Sequence, residues 1–179
     1  RSVNKQTEEQ DKYKLLFFRS ENKNENLLLK ANPIVYFDKN SNKLIVKVRT
    51  SDSDKLSIND SILPLNTLTT QFNDDKCYYS ELVVDHIPLK RWVNIVVNVD
   101  NNRISLFKDG DVYQTILINR NPGEECTNFS SSRTVSETAG TVYLGKDISN
   151  NIVTPDALVS KIQFYNYSLR TPSDIKRIY

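Results

Sequence analysis

IPLKRWVNIVVNVDNNRISLFKDGDVYQTILI, residues 87–118, is the stretch that decides the fold. Within it Val93, Ile95, Val97 and Val99 recur at every second position, with Asn94, Val96 and Asn98 between them. A period of two is the pleat of a β-strand, whereas a helix would repeat every 3.6 residues. Asp100-Asn101-Asn102 ends that run and leads into a second one at 103–108. Asp109-Gly110 ends the second, and Asp-Gly is favoured in hairpins because both residues tolerate the positive φ of a primed turn. Residues 92–118 therefore read as a three-stranded antiparallel meander. Trp92, Ile95, Val97 and Leu106 are its candidate core residues, Trp92 because it opens the most apolar run.

The same texture extends outward. Short apolar runs at 13–18, 33–37, 43–49, 56–62, 78–84, 141–144 and 159–165 are separated by Asn, Asp, Ser, Gly and Pro. In 43–49, Leu44, Val46 and Val48 fall on one face, and Ile45, Lys47 and Arg49 on the other. Many short strands with turn signals between them are the signature of a β-sandwich or barrel. Residues 1–12 are polar and lack periodicity, so they read as a tail or linker, and 13–179 as one domain. The polar stretch 119–140 reads as a long loop of the kind that carries function on a rigid scaffold. Thr171-Pro172-Ser173-Asp174 is a helix start, which predicts a short C-terminal helix. The expected fold is all-β: an antiparallel sandwich closed by that helix.

Composition narrows the function classes. The chain has 179 residues, 38% hydrophobic and 26% charged, with a net charge of +2. No apolar run approaches the roughly 18 residues of a membrane helix, so no membrane insertion by this segment is expected. The weak, interspersed charge argues against nucleic acid as a partner. His86 is the only histidine, which removes a Cys/His zinc site from consideration. Arg1 follows no initiator Met or leader, so the chain reads as an excised domain or processed product. Cys77 and Cys126 could form one disulfide, closing a loop of about fifty residues worth roughly 4 kcal/mol in the chain-entropy model. Two separate thiols are the alternative. Sequons at Asn59, Asn128 and Asn166 fit an extracellular setting, although an Asn-rich chain produces sequons by chance.

Residues 87–118 resemble the central motif of laminin-G-like and concanavalin-A-like jelly rolls. There a Trp opens an apolar strand, a short turn follows, and the next strand ends in an Asp-Gly or Asn-Gly hairpin. Residues 142–179, VYLGKDISNNIVTPDALVSKIQFYNYSLRTPSDIKRIY, are similar to the closing element of that family. Its parts are a "LG" strand end, an apolar-aromatic strand with "YNxxL", a Ser/Thr/Pro helix start and "I..IY". The resemblance covers about half of the chain closely. It departs from the family at Pro155-Asp156-Ala157, where a Gly often precedes the closing strand. It looks closest to versions of the domain in structural proteins of large DNA viruses and in protist surface proteins, implying an extracellular, cell-surface or virion location.

Relatives on this fold that cleave glycans carry closely spaced carboxylates on one strand, Glu-x-Asp-x-x-Glu, because acid and nucleophile must flank one bond. No run here has that spacing. Glu8-Glu9 and Glu124-Glu125 lie in polar segments, and Glu81 has only Asp85 nearby. His86 has no companion motif for a triad, so no catalytic residue is expected and the chain does not read as an enzyme. No cofactor is called for. Calcium is the one candidate ion, through Asp109, Asp111, Asp147, Asn150 and Asn151, because relatives bind it with loop oxygens; such residues also serve turns. Lys90-Arg91 reads as a solvated pair, with contact to an anionic partner as the alternative. Tyr165 and Tyr167 read as packed or at the rim. The expected function is a structural, assembly or adhesion module acting through protein partners in a larger surface or virion protein. The alternative is a lectin-like domain that binds glycans, with calcium in support.

Overall fold

The computed structural model describes residues 13–20, 31–38, 40–50, 79–100, 102–118, 135, 140–144, 152–153, 157–165, 167–169 and 173–175. The expected strand at 56–62, Cys77, Cys126, the three sequons and nearly all of the 119–140 loop lie outside these residues.

The described chain is an all-β sandwich of two sheets. Its strands are β1 (Tyr13–Ser20), β2 (Ile34–Phe37), β3 (Leu44–Arg49), β4 (Tyr79–Val84), β5 (Ile95–Asp100), β6 (Arg103–Lys108), β7 (Asp111–Leu117), β8 (Thr141–Leu144) and β9 (Ile152–Val153). The larger sheet runs β4-β3-β2-β1-β8, antiparallel throughout, with the two-residue β9 parallel to β1. The smaller sheet is the β5-β6-β7 meander. Asp109 and Gly110 sit at φ 52° and 86°, the primed turn that the sequence requires, and Lys108 pairs directly with Asp111 across it. One helical turn at 173–175 matches the expected helix start, with Ile175 buried.

The core lies between the sheets. Val35, Leu44, Val46, Val48, Leu82 and Val84 of the larger sheet meet Ile104 and Leu106 of β6, with Ile118 beside them. Ile95, Val97 and Val99 flank this cluster from β5. Register explains the membership, because Val46 opposes both Val35 and Leu82, and Leu106 opposes Val97. A directly opposed pair points to one face of the pleat.

The far face of the larger sheet is buried too. Leu15, Phe18, Ile34, Tyr36, Lys47, Arg49 and Tyr79 occupy it. Lys47 stands opposite Glu81 on β4 with its ammonium 3.6 Å from the carboxylate, a partly buried pair held by the ladder itself.

The two sheets are stitched together where β4 and β7 meet as edge strands. The Val83 amide donates to Oε1 of Gln114 at 2.8 Å, and the Asp85 amide donates to the Tyr113 hydroxyl at 3.2 Å. Side chains of one sheet thereby satisfy the open ladder donors of the other, which blunts an edge that would otherwise recruit a foreign strand.

Two expectations need correction. Trp92 is 68% exposed and contributes nothing to the core. The ladder of β5 starts only at Ile95, and Trp92 belongs to the preceding loop. Its even position also shares parity with Asn94 and Asn98, not with Ile95 and Val97. Residues 159–165 form no strand: Lys161 turns the chain at φ 55°, breaking the alternation midway, and most side chains of 157–165 stay exposed.

Candidate functional site

Among the described residues, exposed large apolar side chains gather in the rim loop between β4 and β5, along β7 (Val112, Tyr113 and Leu117) and on the flank formed by residues 157–165 and 167–169.

The rim loop is held by a dense set of bonds. The Ile87 amide donates to the Asn42 carbonyl at 2.9 Å, and Lys108 Nζ donates to the His86 carbonyl at 2.9 Å. Asp109 closes the other side. Its Oδ1 accepts the Asn94 amide and its Oδ2 accepts the Arg91 guanidinium, both at 2.9 Å, while its own amide donates to the Asn94 carbonyl. Lys90 takes φ 59°, which turns the tip between these anchors. Leu89, Lys90, Arg91 and Trp92 are all exposed, Leu89 at 73%. Leu89 carried no signal in the sequence, since a lone Leu in a turn is ordinary.

On the flank, Leu158, Val159, Phe164, Tyr165 and Tyr167 are exposed, Leu158 at 84%. Phe164 meets Phe17 edge-on at 6.4 Å, and the Arg19 guanidinium lies over its ring at 5.7 Å. The rings of Tyr165 and Tyr167 are 5.6 Å apart and inclined at 58°, and the Tyr165 hydroxyl donates to Oε1 of Gln163. The segment is tied down by Asn98 on the outer face of β5. The Asn98 side-chain amide donates to the Leu169 carbonyl at 3.0 Å, and Oδ1 accepts the Leu169 amide at 2.8 Å. This pairing mimics a backbone ladder with a side chain. Asn98→Ala should cost about 1–2 kcal/mol for the two lost bonds and speed hydrogen exchange at the Leu169 amide. Asn98→Asp, which keeps the acceptor, should leave more of that protection.

Glu81 faces Lys47, and Asp85 faces Lys43 at 3.6 Å. Among the described residues no group of three or more His, Cys, Asp or Glu is placed to hold a metal ion. Of the calcium candidates, Asp109 spends its carboxylate on Arg91 and the Asn94 amide, and Asp111 opens β7 on the far side of the turn. Asp147, Asn150 and Asn151 lie outside the described residues. Ile95 and Val97 flank the core cluster, and Leu106 is inside it.

No family model matches the chain, and no curated protein matches it. Among solved structures the chain is similar to an S-layer domain-containing protein (residues 221-444) from Clostridium thermocellum, at a TM-score of 0.31 and 8% identity. The match covers 94% of this chain and 63% of that one, so the chain spans less than two thirds of its length. What defines the class of this protein is its own strand order: a two-sheet, all-β sandwich with an apolar rim loop and an apolar flank.

Proposed function

We propose that the domain is a non-enzymatic assembly or adhesion module of a larger surface or virion protein, and that it works through protein contacts on the 157–169 flank. The observation that carries this reading is the run of exposed Leu158, Val159, Phe164, Tyr165 and Tyr167 on one segment anchored by Asn98. Exposed large apolar side chains gathered on one segment point to an interaction surface. Aromatic side chains on a pinned backbone also lose little freedom on docking. The pairing of Glu81 with Lys47 and of Asp85 with Lys43 supports the non-enzymatic part of the reading.

Sedimentation velocity over a range of concentrations tests it. The expected result is reversible association that weakens when Phe164 and Tyr167 are both replaced by Ser. A second reading, glycan binding, is favoured by one observation: the inclined, exposed Tyr165 and Tyr167 rings beside the Gln163 amide. A glycan array separates the two, because saccharide retention lost on Tyr167→Ala would replace protein contact with a lectin role. Hydrolysis of a β-glucan by the pure chain, abolished by Glu81→Gln, would overturn the non-enzymatic assignment.

A further inference from the structure

We propose that the tip of the rim loop is a processing site. An endoprotease specific for paired basic residues hydrolyses the Arg91–Trp92 bond there, and the two chains that result stay together as one sandwich. Lys90-Arg91 is the one pair of adjacent basic residues in the described part of the chain; Lys176-Arg177 lies outside it. Leu89, Lys90, Arg91 and Trp92 are all exposed. Exposed loop tips are where proteases cut folded domains.

The bonds that hold this loop sit at its two ends. The Ile87 amide is tied to Asn42, and the Asn94 amide to Asp109. Among the described residues no backbone hydrogen bond joins 88–93 to another element. Those residues span about 20 Å when extended, so they can be drawn into a protease cleft without disturbing either ladder. Lys90 sits at φ 59°, a left-handed conformation unfavourable for any residue but glycine, and extension relieves it. One contact must then be exchanged, the 2.9 Å pair of Arg91 with Asp109. The Arg91 side chain is 62% exposed, and surface pairs of this kind are weak. A specificity pocket ending in a carboxylate takes the guanidinium over.

The reaction is hydrolysis. Water adds across the peptide bond, leaving a carboxylate on Arg91 and an ammonium on Trp92, both at exposed positions. The strand order explains why the products hold together. Residues 1–91 supply β1 to β4, and residues 92–179 supply β5 to β9. The two sets interleave, because β8 pairs with β1 from Phe17 to Ser20 and β9 lies beside β1. Phe18 stacks on Tyr143, Val46 and Leu82 share a core cluster with Ile104 and Leu106, and Gln114 accepts the Val83 amide. Neither piece completes that core alone, and the cut touches none of these contacts.

The test incubates the full chain, in native buffer, with a serine endoprotease specific for paired basic residues. Products are weighed by mass spectrometry after denaturation and sized by native size-exclusion chromatography. The expected result is 1–91 and 92–179, eluting together at the volume of the uncut chain and separating only in denaturant. Cleavage after Arg177 removes two residues, and its mass tells it apart. Arg91→Gln should abolish the cut at 91 with an unchanged β-type circular dichroism spectrum. Leu106→Ala, which destabilises the whole sandwich, should leave the rate of cleavage unchanged. A rate that rises with the unfolded population would place the cut in the unfolded chain and overturn the proposal. So would an Arg91–Trp92 bond left intact in the native chain, or products that part in native buffer.

Discussion

Phe18→Ala should lower the unfolding free energy by about 3–5 kcal/mol, at the upper end for aromatic truncation in a core. Phe18 is 0% exposed on the far face of the larger sheet. It pairs with Ile34 on β2 and with Tyr143 on β8, and its ring stacks on Tyr143 with centroids 4.9 Å apart and planes 14° from parallel. Truncation removes the apolar burial, the stacking, and the joint that holds β8 to β1. For a chain of this size each kcal/mol shifts the melting temperature by about 2–4 °C, so a fall of roughly 10 °C is the expected reading. A shift of a degree or two would mean that the far face is loosely covered.

Leu106→Ala should cost about 3–5 kcal/mol as well, for a different reason. Leu106 is 0% exposed between the sheets, opposite Val97 and within the cluster of Val46, Leu82 and Ile104. Both sheets line the space it would vacate, so neither can move in without breaking its own ladder, and the cavity term is added to the lost transfer free energy. Trp92→Ala is the control. Although it removes the larger side chain, exposure at the rim limits the cost to within about 0.5 kcal/mol. Chemical denaturation of the two variants side by side measures the contrast. Equal losses would return Trp92 to the core.

Much of the sandwich could be read from local pattern. Short apolar runs between turn residues locate β1 to β8 to within a few residues, and in β3 and β5 a period of two writes the pleat into the sequence. Asp109-Gly110 fixes a primed hairpin because both residues must take positive φ. The candidate surfaces were only partly legible. Lys90-Arg91 read as a solvated pair and Tyr165 and Tyr167 as packed or at the rim, with contact only the alternative, whereas Leu89 and the Asn98 tether gave no local signal. Asn98 acts on Leu169, 71 positions away, and a separation of that kind has no local signature. Its place at the opening of the most apolar run drew Trp92 inward, although its parity with Asn94 and Asn98 already placed it on the opposite face from Ile95 and Val97.

By itself the sequence determined the strands of the meander, where the meander turns, and which residues of those strands share a face. Only the tertiary structure decided how those faces are used. Alternation states that Lys47 and Arg49 lie opposite Val46 and Val48, yet both faces of β3 are buried. It cannot register the left-handed turn at Lys161 that keeps residues 157–165 off a ladder. It is equally silent on the meeting of β4 with β7 through Gln114 and Tyr113. Pleat and turn chemistry are properties of neighbours a few residues apart, legible one segment at a time. Burial, edge protection and exposure depend on which distant segments arrive to cover a surface, and those are settled only when the sheets pack.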